Sequence, residues 1–440
     1  MEVERRQRIL SLALPIIGGM VSQNVLNLVD TAMVGTLGDA ALAAVGLGGF
    51  VIFMSMALLL GVGAGVQATA ARRVGEGRHE RSAVPLNAGL LICVIVGPLL
   101  SAGLYFSLPA WFPLLNADPE VYEQGLPYLQ WRVLGIVFVG INFAFRGYWN
   151  AIDRSMLYMQ TIIVMHVVNI VLNYVFIFGH FGAPALGAGG AGLASAVSTV
   201  VGAGMYIFLG WRYARGGGFL QGLPGREEVM TLARLSLPTS MQQFFFAAGF
   251  TAMYWIIGRI GTAELAAASV LVTIMLVALL PGMGFGMAAT TLVSQALGRG
   301  DADAASVWAW DVVKLAVVAL VLLGVPMWLV PDLVMTPFIE NADTRDIARM
   351  PLRLVGLFMA VEAIGLVLMN ALLGAGDARR VMLVSIGVQW FAFLPLAWLI
   401  GPVFGFGLLG VWSLNLLYRG CVAAVYVVFW RRRAWAQIKL

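Results

Sequence analysis

Asp30 is the residue of this 440-residue chain whose position points most directly to chemistry. It lies in an apolar run, Leu10 to Leu37, that is otherwise free of charge. A carboxylate near a bilayer centre costs about 2.5–3.5 kcal/mol on insertion scales. A chain that keeps such a group directs it toward a partner, a cavity or a proton path. Asp30 is therefore predicted to be a functional-site residue, and the rest of the sequence indicates the kind of site.

Two stripes of polar side chains accompany Asp30 in the N-terminal half of the chain. They are Gln23, Asn27 and Asp30 in the first apolar run and His166, Asn169 and Asn173 in a later one. Neighbouring members are three or four positions apart, so each stripe lies on one face of a helix. Together they predict a hydrated pocket. Histidine side chains in general titrate near neutrality, so a proton-relay role is predicted for His166.

Each of these side chains also has a simpler interpretation. The amides of Asn27 and Asn173 could serve only as hydrogen bonds between membrane helices. His166 could be a core histidine whose hydrogen bonds are satisfied. For Asp30 the alternative is a buried ion pair, with Arg146 as its partner, that has no role in transport.

Three further positions complete the predicted site. Tyr128 and Arg146 bracket the fourth apolar run and are predicted to line the pocket with the two stripes. Glu362 is the one acidic residue deep in a C-terminal run. It is predicted to be a second proton or cation site, unless it pairs with Arg353 on the same helix. The three histidines show no ligand spacing, so neither a metal site nor a cofactor is predicted.

The elements that must position these residues are membrane helices. The chain is 60% hydrophobic and only 11% charged, with a mean hydropathy of +0.89, whereas soluble domains carry about 25% charge. About twenty apolar residues cross a bilayer, so the chain has room for about a dozen spans. They are predicted at 9–36, 43–71, 85–108, 128–150, 157–179, 190–213, 232–257, 264–297, 309–330, 350–374, 379–400 and 406–430.

Charge placement predicts the orientation of these spans. Arginines concentrate at the N-terminus and in every even-numbered break between spans, and most acidic loop residues lie in the odd-numbered breaks. By the positive-inside rule, both termini are cytoplasmic and the number of spans is even. The formal net charge of +5 follows these loops rather than one face, so nucleic-acid binding is not predicted. The predicted location is a membrane.

The first and seventh spans begin with the same sequence pattern. Leu12–Pro15 matches Leu235–Pro238, and Gly35–Ala44 matches Gly258–Ala267, both at an offset of 223 positions. Each half has six predicted spans, an even number, so the two halves run in the same direction. They are parallel repeats related by an axis along the membrane normal.

The predicted fold is all-α, with twelve transmembrane helices in two six-helix lobes. The lobes comprise residues 1–211 and 231–440, and a flexible cytoplasmic linker, 212–230, joins them. Two lobes with a flexible joint suit alternating access, in which one lobe rocks against the other. The repeat position of Asp30 is Met253, so the chemistry is predicted to lie in the N-terminal lobe.

These motifs together resemble the multidrug and toxic compound extrusion (MATE) family, and within it the DNA-damage-inducible F (DinF-like) subfamily. The residues that carry the resemblance are Leu14-Pro15, Leu28–Gly35, Leu37-Gly38, Gly75–Gly77, Arg146-Gly147 and Asn169–Tyr174. The resemblance covers nearly the whole chain and implies efflux of cationic amphipathic drugs in exchange for H⁺ or Na⁺. Carried over by position, Asp30 would be the coupling carboxylate, and Gln23, Tyr128, Asn169 and Asn173 would line its cavity.

The chain departs from the family at three places. Asn173 stands where some relatives carry a second aspartate, Arg146 stands where relatives have a neutral polar residue, and the seventh span holds no acid at depth. The first departure weighs against a coupling scheme with two carboxylates in the N-terminal lobe. The missing acid of the seventh span weighs against Na⁺ coupling in the C-terminal lobe and favours the proton. We therefore predict a proton-coupled multidrug antiporter with Asp30 as its protonation switch.

Two alternative transport functions stay open at this stage. One is Na⁺-coupled drug antiport. The other is flipping of a lipid-linked substrate, which would need several cavity arginines to meet a pyrophosphate. An enzyme is not predicted, because the chain has no HExxH motif, no catalytic carboxylate pair, no Cys/His nucleophile pair and no phosphate-binding loop. The predicted partners are small organic cations and membrane lipid, and the chain is predicted to be a monomer.

Overall fold

The computed structural model describes residues 2–116, 118–339 and 341–438, and within these ranges the chain is helical with no β-strand. The helices are α1 Val3–Gly35, α2 Asp39–Gly75, α3 Val84–Leu115, α4 Pro119–Leu134, α5 Ile136–Ala151, α6 Ser155–Phe178, α7 Ala188–Tyr213, α8 Arg226–Gly258, α9 Thr262–Gly298, α10 Ala302–Leu329, α11 Pro331–Met335, α12 Ala342–Ala375, α13 Ala378–Gly387, α14 Leu394–Trp398 and α15 Gly407–Arg432. The predicted all-α class is confirmed.

The long helices coincide with the predicted spans. Among the described residues, ten segments are long and apolar enough to cross a membrane, and the bent pair α4 and α5 makes an eleventh if it is one span. The remaining long helix, α8, falls at the predicted seventh span, 232–257. Its first turn carries Arg226, Glu227 and Glu228, so its polar beginning lies before the apolar stretch.

The predicted fourth span, 128–150, is two helices rather than one. α4 and α5 meet at Gly135 with a bend of 47°. The hydroxyl of Ser101 on α3 donates a hydrogen bond of 2.7 Å to the carbonyl of Val133. In a continuous helix that carbonyl would accept from the backbone four positions later. A side chain that inserts into the helical hydrogen-bond ladder is a known cause of kinks.

The predicted eleventh span, 379–400, is also irregular. Two π-helical segments, Val388–Phe393 and Leu399–Val403, lie on either side of α14. Each is next to or contains a proline, Pro395 or Pro402, which cannot donate a backbone hydrogen bond. A widened turn restores the bonding of the neighbouring carbonyls, and such turns are frequent at functional sites.

Contacts group the chain into two compact units. We call Gly18–Ser240 the N-terminal unit, and Met1–Ile17 together with Met241–Leu440 the C-terminal unit. Each boundary falls inside a helix, α1 or α8. The assignment of residues 1–211 and 231–440 to two lobes stays a prediction; the contact units differ from it at the beginnings of α1 and α8.

The same packing contact recurs in both units at the repeat offset of 223 positions. In the N-terminal unit, Gly61 of α2 lies against Ser240 of α8, whose hydroxyl donates to the carbonyl of Leu58 at 2.6 Å. In the C-terminal unit, Gly284 of α9 lies against Ile17 of α1. A Cβ at either glycine would collide with the neighbouring helix, so the close approach requires glycine.

The connector between α7 and α8 packs against helices of the N-terminal unit. Phe219 is only 2% exposed. Asn87 of α3 donates to the carbonyl of Gly218 at 2.9 Å and accepts from the amide of Leu220 at 3.1 Å. These bonds satisfy backbone groups of the connector. The joint expected at 212–230 is therefore part of the N-terminal unit.

Glu228 fastens this connector to the loop after α2. One carboxylate oxygen accepts from Arg73 at 3.2 Å and from Arg81 at 2.8 Å, and the other accepts from the amide of Gly225 at 2.7 Å. Burial alone would raise the pKa of Glu228, but these hydrogen bonds and the two arginine charges outweigh it and lower the pKa. The group lies before the predicted span 232–257, outside the membrane.

Replacing Glu228 by glutamine is expected to weaken the attachment of the connector by about 1 kcal/mol. Because folding lowers the pKa, Glu228 stabilises the protein above the pKa of an unfolded glutamate. That contribution is lost as the pH falls through the lowered folded value. Hydrogen–deuterium exchange of residues 214–225 should be faster in Glu228→Gln at pH 7, and the difference from wild type should shrink below about pH 4.

The matched control for this experiment is Glu227→Gln. Glu227 is the neighbouring residue, is exposed and makes no ion pair in the part of the chain that the structure describes. Its exchange should equal that of the wild type. Equal protection in Glu228→Gln and Glu227→Gln at pH 7 would contradict the attachment.

Candidate functional site

Asp30 and Asn173 face each other across two helices of the N-terminal unit. Oδ1 of Asp30 accepts a hydrogen bond of 2.6 Å from Nδ2 of Asn173. Each residue lies five positions before the last residue of its helix, Gly35 in α1 and Phe178 in α6. Asp30 is therefore about 8 Å from the end of α1. The sequence had suggested a position near the middle of the helix, and the structure differs from that expectation.

A chain of neutral hydrogen-bonding groups leads inward from this pair. Nδ2 of Asn173 also donates to Oδ1 of Asn169 at 3.0 Å, and Nδ2 of Asn169 donates to the hydroxyls of Ser195 and Ser198 on α7 at 3.2 and 3.4 Å. Asn173 is fully buried and Asn169 is 2% exposed. Oδ1 of Asn173 has no hydrogen-bond partner among the described residues, which leaves one acceptor for an incoming donor.

His166 joins the two polar stripes at a second point. Its Nδ1 lies 2.6 Å from the hydroxyl of Ser22, and its Nε2 lies 3.2 Å from Oε1 of Gln23. Nε2 of Gln23 in turn donates to Oδ1 of Asn27 at 3.2 Å. An amide oxygen only accepts, so Nε2 of His166 carries a proton and Nδ1 accepts from Ser22. A neutral imidazole in this tautomer is consistent with both hydrogen bonds of the His166 ring.

The cation whose charge acts on Asp30 is Arg132 of α4. No basic residue forms an ion pair with Asp30 within 4 Å in the described part of the chain. Asp30 is half-buried, with a neutral amide as its direct partner. The positive charge of Arg132 therefore acts on the carboxylate of Asp30 from a distance, and no cation in the described part of the chain forms an ion pair with it.

Arg146 is not the partner of Asp30, contrary to the ion-pair interpretation. Its guanidinium carbon lies 4.8 Å from the centre of the Phe143 ring, and its positive charge acts on the hydroxyl of Tyr158. The Tyr158 ring lies against Gly19 of α1, eleven positions before Asp30 and about 16 Å from it along the helix. Arg146 therefore lies near a different part of α1 from Asp30.

Tyr128 is packed within the hydrophobic core of the N-terminal unit. It is 7% exposed and belongs to a cluster with Val34 and Leu129. Its ring lies against Gly48 of α2, where any Cβ would collide with it. No hydrogen bond joins it to the two polar stripes in the described part of the chain. Its cavity-lining role stays a prediction.

Glu362 forms a buried ion pair in the C-terminal unit. One of its oxygens lies 2.6 Å from a guanidinium nitrogen of Arg419 on α15, and the two side chains are 8% and 11% exposed. Its other oxygen has no hydrogen-bond partner among the described residues. The alternative partner, Arg353, is nine positions away on α12, about 14 Å along the helix, which is too far for contact.

A small cavity lies beside this ion pair and at the repeat position of Asp30. Its lining includes Met253, Gln389, Asn415 and Arg419, and its volume of about 10 Å³ is close to that of one water molecule. Nδ2 of Asn415 donates to the sulfur of Met253 at 3.1 Å, and Asn415 Oδ1 has no partner among the described residues. In this unit a thioether therefore replaces the carboxylate of the other repeat.

The arrangement in the N-terminal unit can exchange a proton or hold a cation. It combines one half-buried carboxylate with amide, hydroxyl and neutral imidazole groups, so a single protonation changes its net charge. The sequence predicted both stripes and left out three contributors, Arg132, Ser195 and Ser198. A signal for the two serines was present, because they are three positions apart and share a helix face.

The comparisons with known proteins cover nearly the whole chain. The MatE family model matches twice, over residues 15–175 and 238–399. A probable multidrug resistance protein NorM of Thermotoga maritima is 25% identical over 98% of this chain and 94% of its own length. That of Pseudomonas aeruginosa is 29% identical over 92% and 84%. Multidrug resistance protein MdtK of Yersinia pseudotuberculosis is 25% identical over 91% and 88%.

Solved structures show the same fold. A MATE family multidrug resistance transporter of the MOP superfamily in an outward-facing conformation has a TM-score of 0.89 at 22% identity, covering 99% of this chain and 97% of that one. A MATE structure in complex with MaD3S has a TM-score of 0.87 at 22% identity, covering 98% and 96%. The predicted twelve-helix fold is thereby confirmed.

Proposed function

The chain belongs to the MatE family, and on that premise we propose that it is a secondary active multidrug efflux antiporter that exports cationic amphipathic compounds in exchange for protons. The family consists of transporters, so the chain is not an enzyme. The observation that carries the finer proposal is the carboxylate of Asp30, which has no ion-pair partner among the described residues and is hydrogen-bonded at 2.6 Å to the neutral amide of Asn173.

Exchange follows from the chemistry of a single carboxylate. Ionised Asp30 gives the polar stripes a negative charge that attracts an organic cation. Protonation removes that charge and the attraction with it. Proton and drug therefore bind in competition, and such coupling is reciprocal, because each ligand lowers the affinity for the other. Alternating access of the site then converts the competition into antiport.

Two features of the site support the proton rather than Na⁺ as the coupling ion. Asn173 presents an N–H group to Asp30, whereas a hard metal cation requires several oxygen ligands. Arg132 acts on Asp30 with a positive charge, which opposes a second fixed cation there. The carboxylate of the C-terminal unit, Glu362, already has a cation in contact, the guanidinium of Arg419.

The remaining assignments are part of the same proposal. Gln23, Asn27, His166 and Asn169 would line the path between drug and Asp30. The DinF-like subfamily is supported by the position of Asp30. The arginine distribution supports an inner-membrane protein with both termini in the cytoplasm. We further propose that the monomer is the functional form.

Efflux of a fluorescent organic cation from proteoliposomes tests the proposal. A proton gradient and a Na⁺ gradient are imposed separately on the same preparation. The expected result is transport under the proton gradient alone, at a rate that the Na⁺ gradient does not change. Transport driven only by Na⁺ would replace the proton by Na⁺ and direct attention to Glu362. Transport under neither gradient would overturn antiport, and lipid-scrambling activity would then favour a flippase.

A further inference from the structure

The outer face of α7 carries an open apolar cleft near the end of the helix. Gly204, Ile207, Phe208 and Trp211 line it, and its volume is about 480 Å³. These positions are three, one and three apart and so lie on one face of the helix. Phe208 is 64% exposed and Trp211 56% exposed. A Cβ at Gly204 would touch nothing, so the cleft is open at this position.

Three arginines surround the end of this cleft, and each lies over an aromatic ring. The guanidinium carbons of Arg154 and Arg212 lie 5.0 and 5.6 Å from the ring centre of Tyr213. That of Arg215 lies 4.2 Å from the ring of Trp211. Such contacts between cations and aromatic rings are weak individually but fix the position of the charge.

Some exposed arginines of the protein are paired with a carboxylate, whereas these three have no such partner within the described residues. Arg81 pairs with Glu228, and Arg380 pairs with Asp377. Within the described residues, no ion pair joins Arg154, Arg212 or Arg215 to an acid. The end of the cleft is therefore positively charged and uncompensated, and an anion is the complementary ligand.

The packed connector holds this charge in place. Arg215 begins a short 3₁₀ turn, Arg215–Gly217. The carbonyl of Gly217 accepts a hydrogen bond of 2.9 Å from the amide of Ala83, and Gly217 itself is buried. The arginine side chain thus projects from a backbone that is fixed against α3, and the site is formed without a ligand.

We propose that this face of α7 is a binding site for one anionic phospholipid. An acyl chain occupies the cleft beside Gly204 and Phe208, and the phosphate lies between the guanidinium groups of Arg212, Arg154 and Arg215. Tryptophan and tyrosine concentrate at the level of lipid headgroups, and Trp211 and Tyr213 place the arginines at that level. A free phosphate would use only the arginines, whereas the cleft gives the lipid a second, apolar contact.

Native mass spectrometry of the purified full-length protein tests this site. Phosphatidylglycerol and phosphatidylcholine with identical acyl chains are titrated separately, and the affinity of the first bound lipid is measured. An arginine near an anionic surface contributes about fivefold in affinity. The variant Arg154→Gln/Arg212→Gln/Arg215→Gln is therefore expected to bind phosphatidylglycerol at least about tenfold more weakly than wild type, with binding of phosphatidylcholine unchanged.

Two further variants separate the parts of the site. Gly204→Leu fills the cleft without changing charge, and it should weaken the binding of both lipids. Arg259→Gln is the matched control. Arg259 is exposed and also lies over a tryptophan, Trp255, at 5.1 Å, but it is not part of the group of three arginines at the cleft. Its lipid binding should equal that of wild type.

Three results would overturn the proposal. The first is equal affinity of wild type for the two lipids. The second is unchanged binding of phosphatidylglycerol in the triple variant. The third is full displacement of the lipid by soluble glycerol phosphate, which would show that the arginines bind a free phosphate and the cleft binds nothing. Matching elution volumes of all variants confirm that a weaker signal does not reflect misfolding.

Discussion

Replacing Asp30 by asparagine is expected to reduce proton-driven drug efflux to the background of protein-free liposomes, a loss of about tenfold or more. Asparagine has nearly the same shape, and its Oδ1 can still accept the hydrogen bond that Asn173 donates at 2.6 Å in the wild type. The hydrogen-bonded stripes therefore remain, while the group that binds and releases the proton is gone. The loss should come without a loss of folded protein.

Drug binding gives a second measurement of the same variant. In the wild type, the affinity for an organic cation should rise with pH as Asp30 ionises, because the proton and the drug compete. In Asp30→Asn the affinity should be lower and independent of pH over the same range. Isothermal titration at several pH values, in a buffer series of constant ionic strength, measures both quantities.

Asp39→Asn is the matched control for this variant. It makes the same chemical change nine positions later, at the exposed first residue of α2, and should leave both efflux and pH dependence as in the wild type. If Asp30→Asn retained proton-driven efflux and pH-dependent binding, Asp30 would not be the protonation switch. A loss of efflux with pH-dependent binding intact would move the proton to another group, with His166 the first to examine.

Much of the fold could be predicted from the sequence, because it depends on local composition. Apolar runs of sufficient length define membrane helices, and the offset of 223 positions between Pro15 and Pro238 reveals the repeat. The same repeat places Gly61 and Gly284 in matching contacts. These features need no knowledge of which helices are neighbours.

The irregular parts of the fold could not be predicted in this way. The bend at Gly135 accompanies a hydrogen bond from Ser101, 32 positions earlier in the chain than Val133. The glycines of the connector gave no indication that Asn87 of α3 forms hydrogen bonds with it. In both cases the decisive partner is distant in sequence, so a pattern read along one segment does not contain it.

In the candidate site, too, local features could be predicted and contacts between distant residues could not. Helical spacing predicted that Gln23 and His166 belong to two polar faces, and the structure joins them at 3.2 Å. Spacing alone did not show which arginine lies near Asp30. The order of the spans contains that information, because the end of α1 and the beginning of the fourth span lie on the same side of the membrane. This favours Arg132 over Arg146.

The carboxylates of the two repeats, Asp30 and Glu362, have different direct partners. Within the part of the chain that the structure describes, the hydrogen-bond partner of Asp30 is a neutral amide and no cation contacts it, so its charge can change with the bound ligand. Glu362 is 2.6 Å from Arg419, and the position equivalent to Asp30 holds Met253, whose sulfur accepts from Asn415. The charge of a carboxylate in contact with a permanent counter-ion is already balanced, so it is not expected to bind a coupling ion. The pair in the C-terminal unit is therefore expected to act on stability.

Removing either member of this pair is expected to destabilise the protein, and the two single variants should differ. Glu362→Gln leaves the guanidinium of Arg419 buried without its counter-ion, and arginine cannot give up its proton. The expected cost is about 3–5 kcal/mol. Arg419→Met leaves a carboxylate that can become neutral by binding a proton, so its cost should be smaller. Thermal unfolding in detergent, followed by size-exclusion chromatography after heating, ranks the variants.

The double variant Glu362→Gln/Arg419→Met decides whether the two residues act as a pair. Replacing a buried ion pair by groups of similar volume is often close to neutral, so the double variant should be more stable than Glu362→Gln alone. The interaction between the two substitutions measures the coupling directly. If the double variant is as unstable as the sum of the single ones, the two side chains stabilise the C-terminal unit independently. Glu362 would then be available as a second cation site.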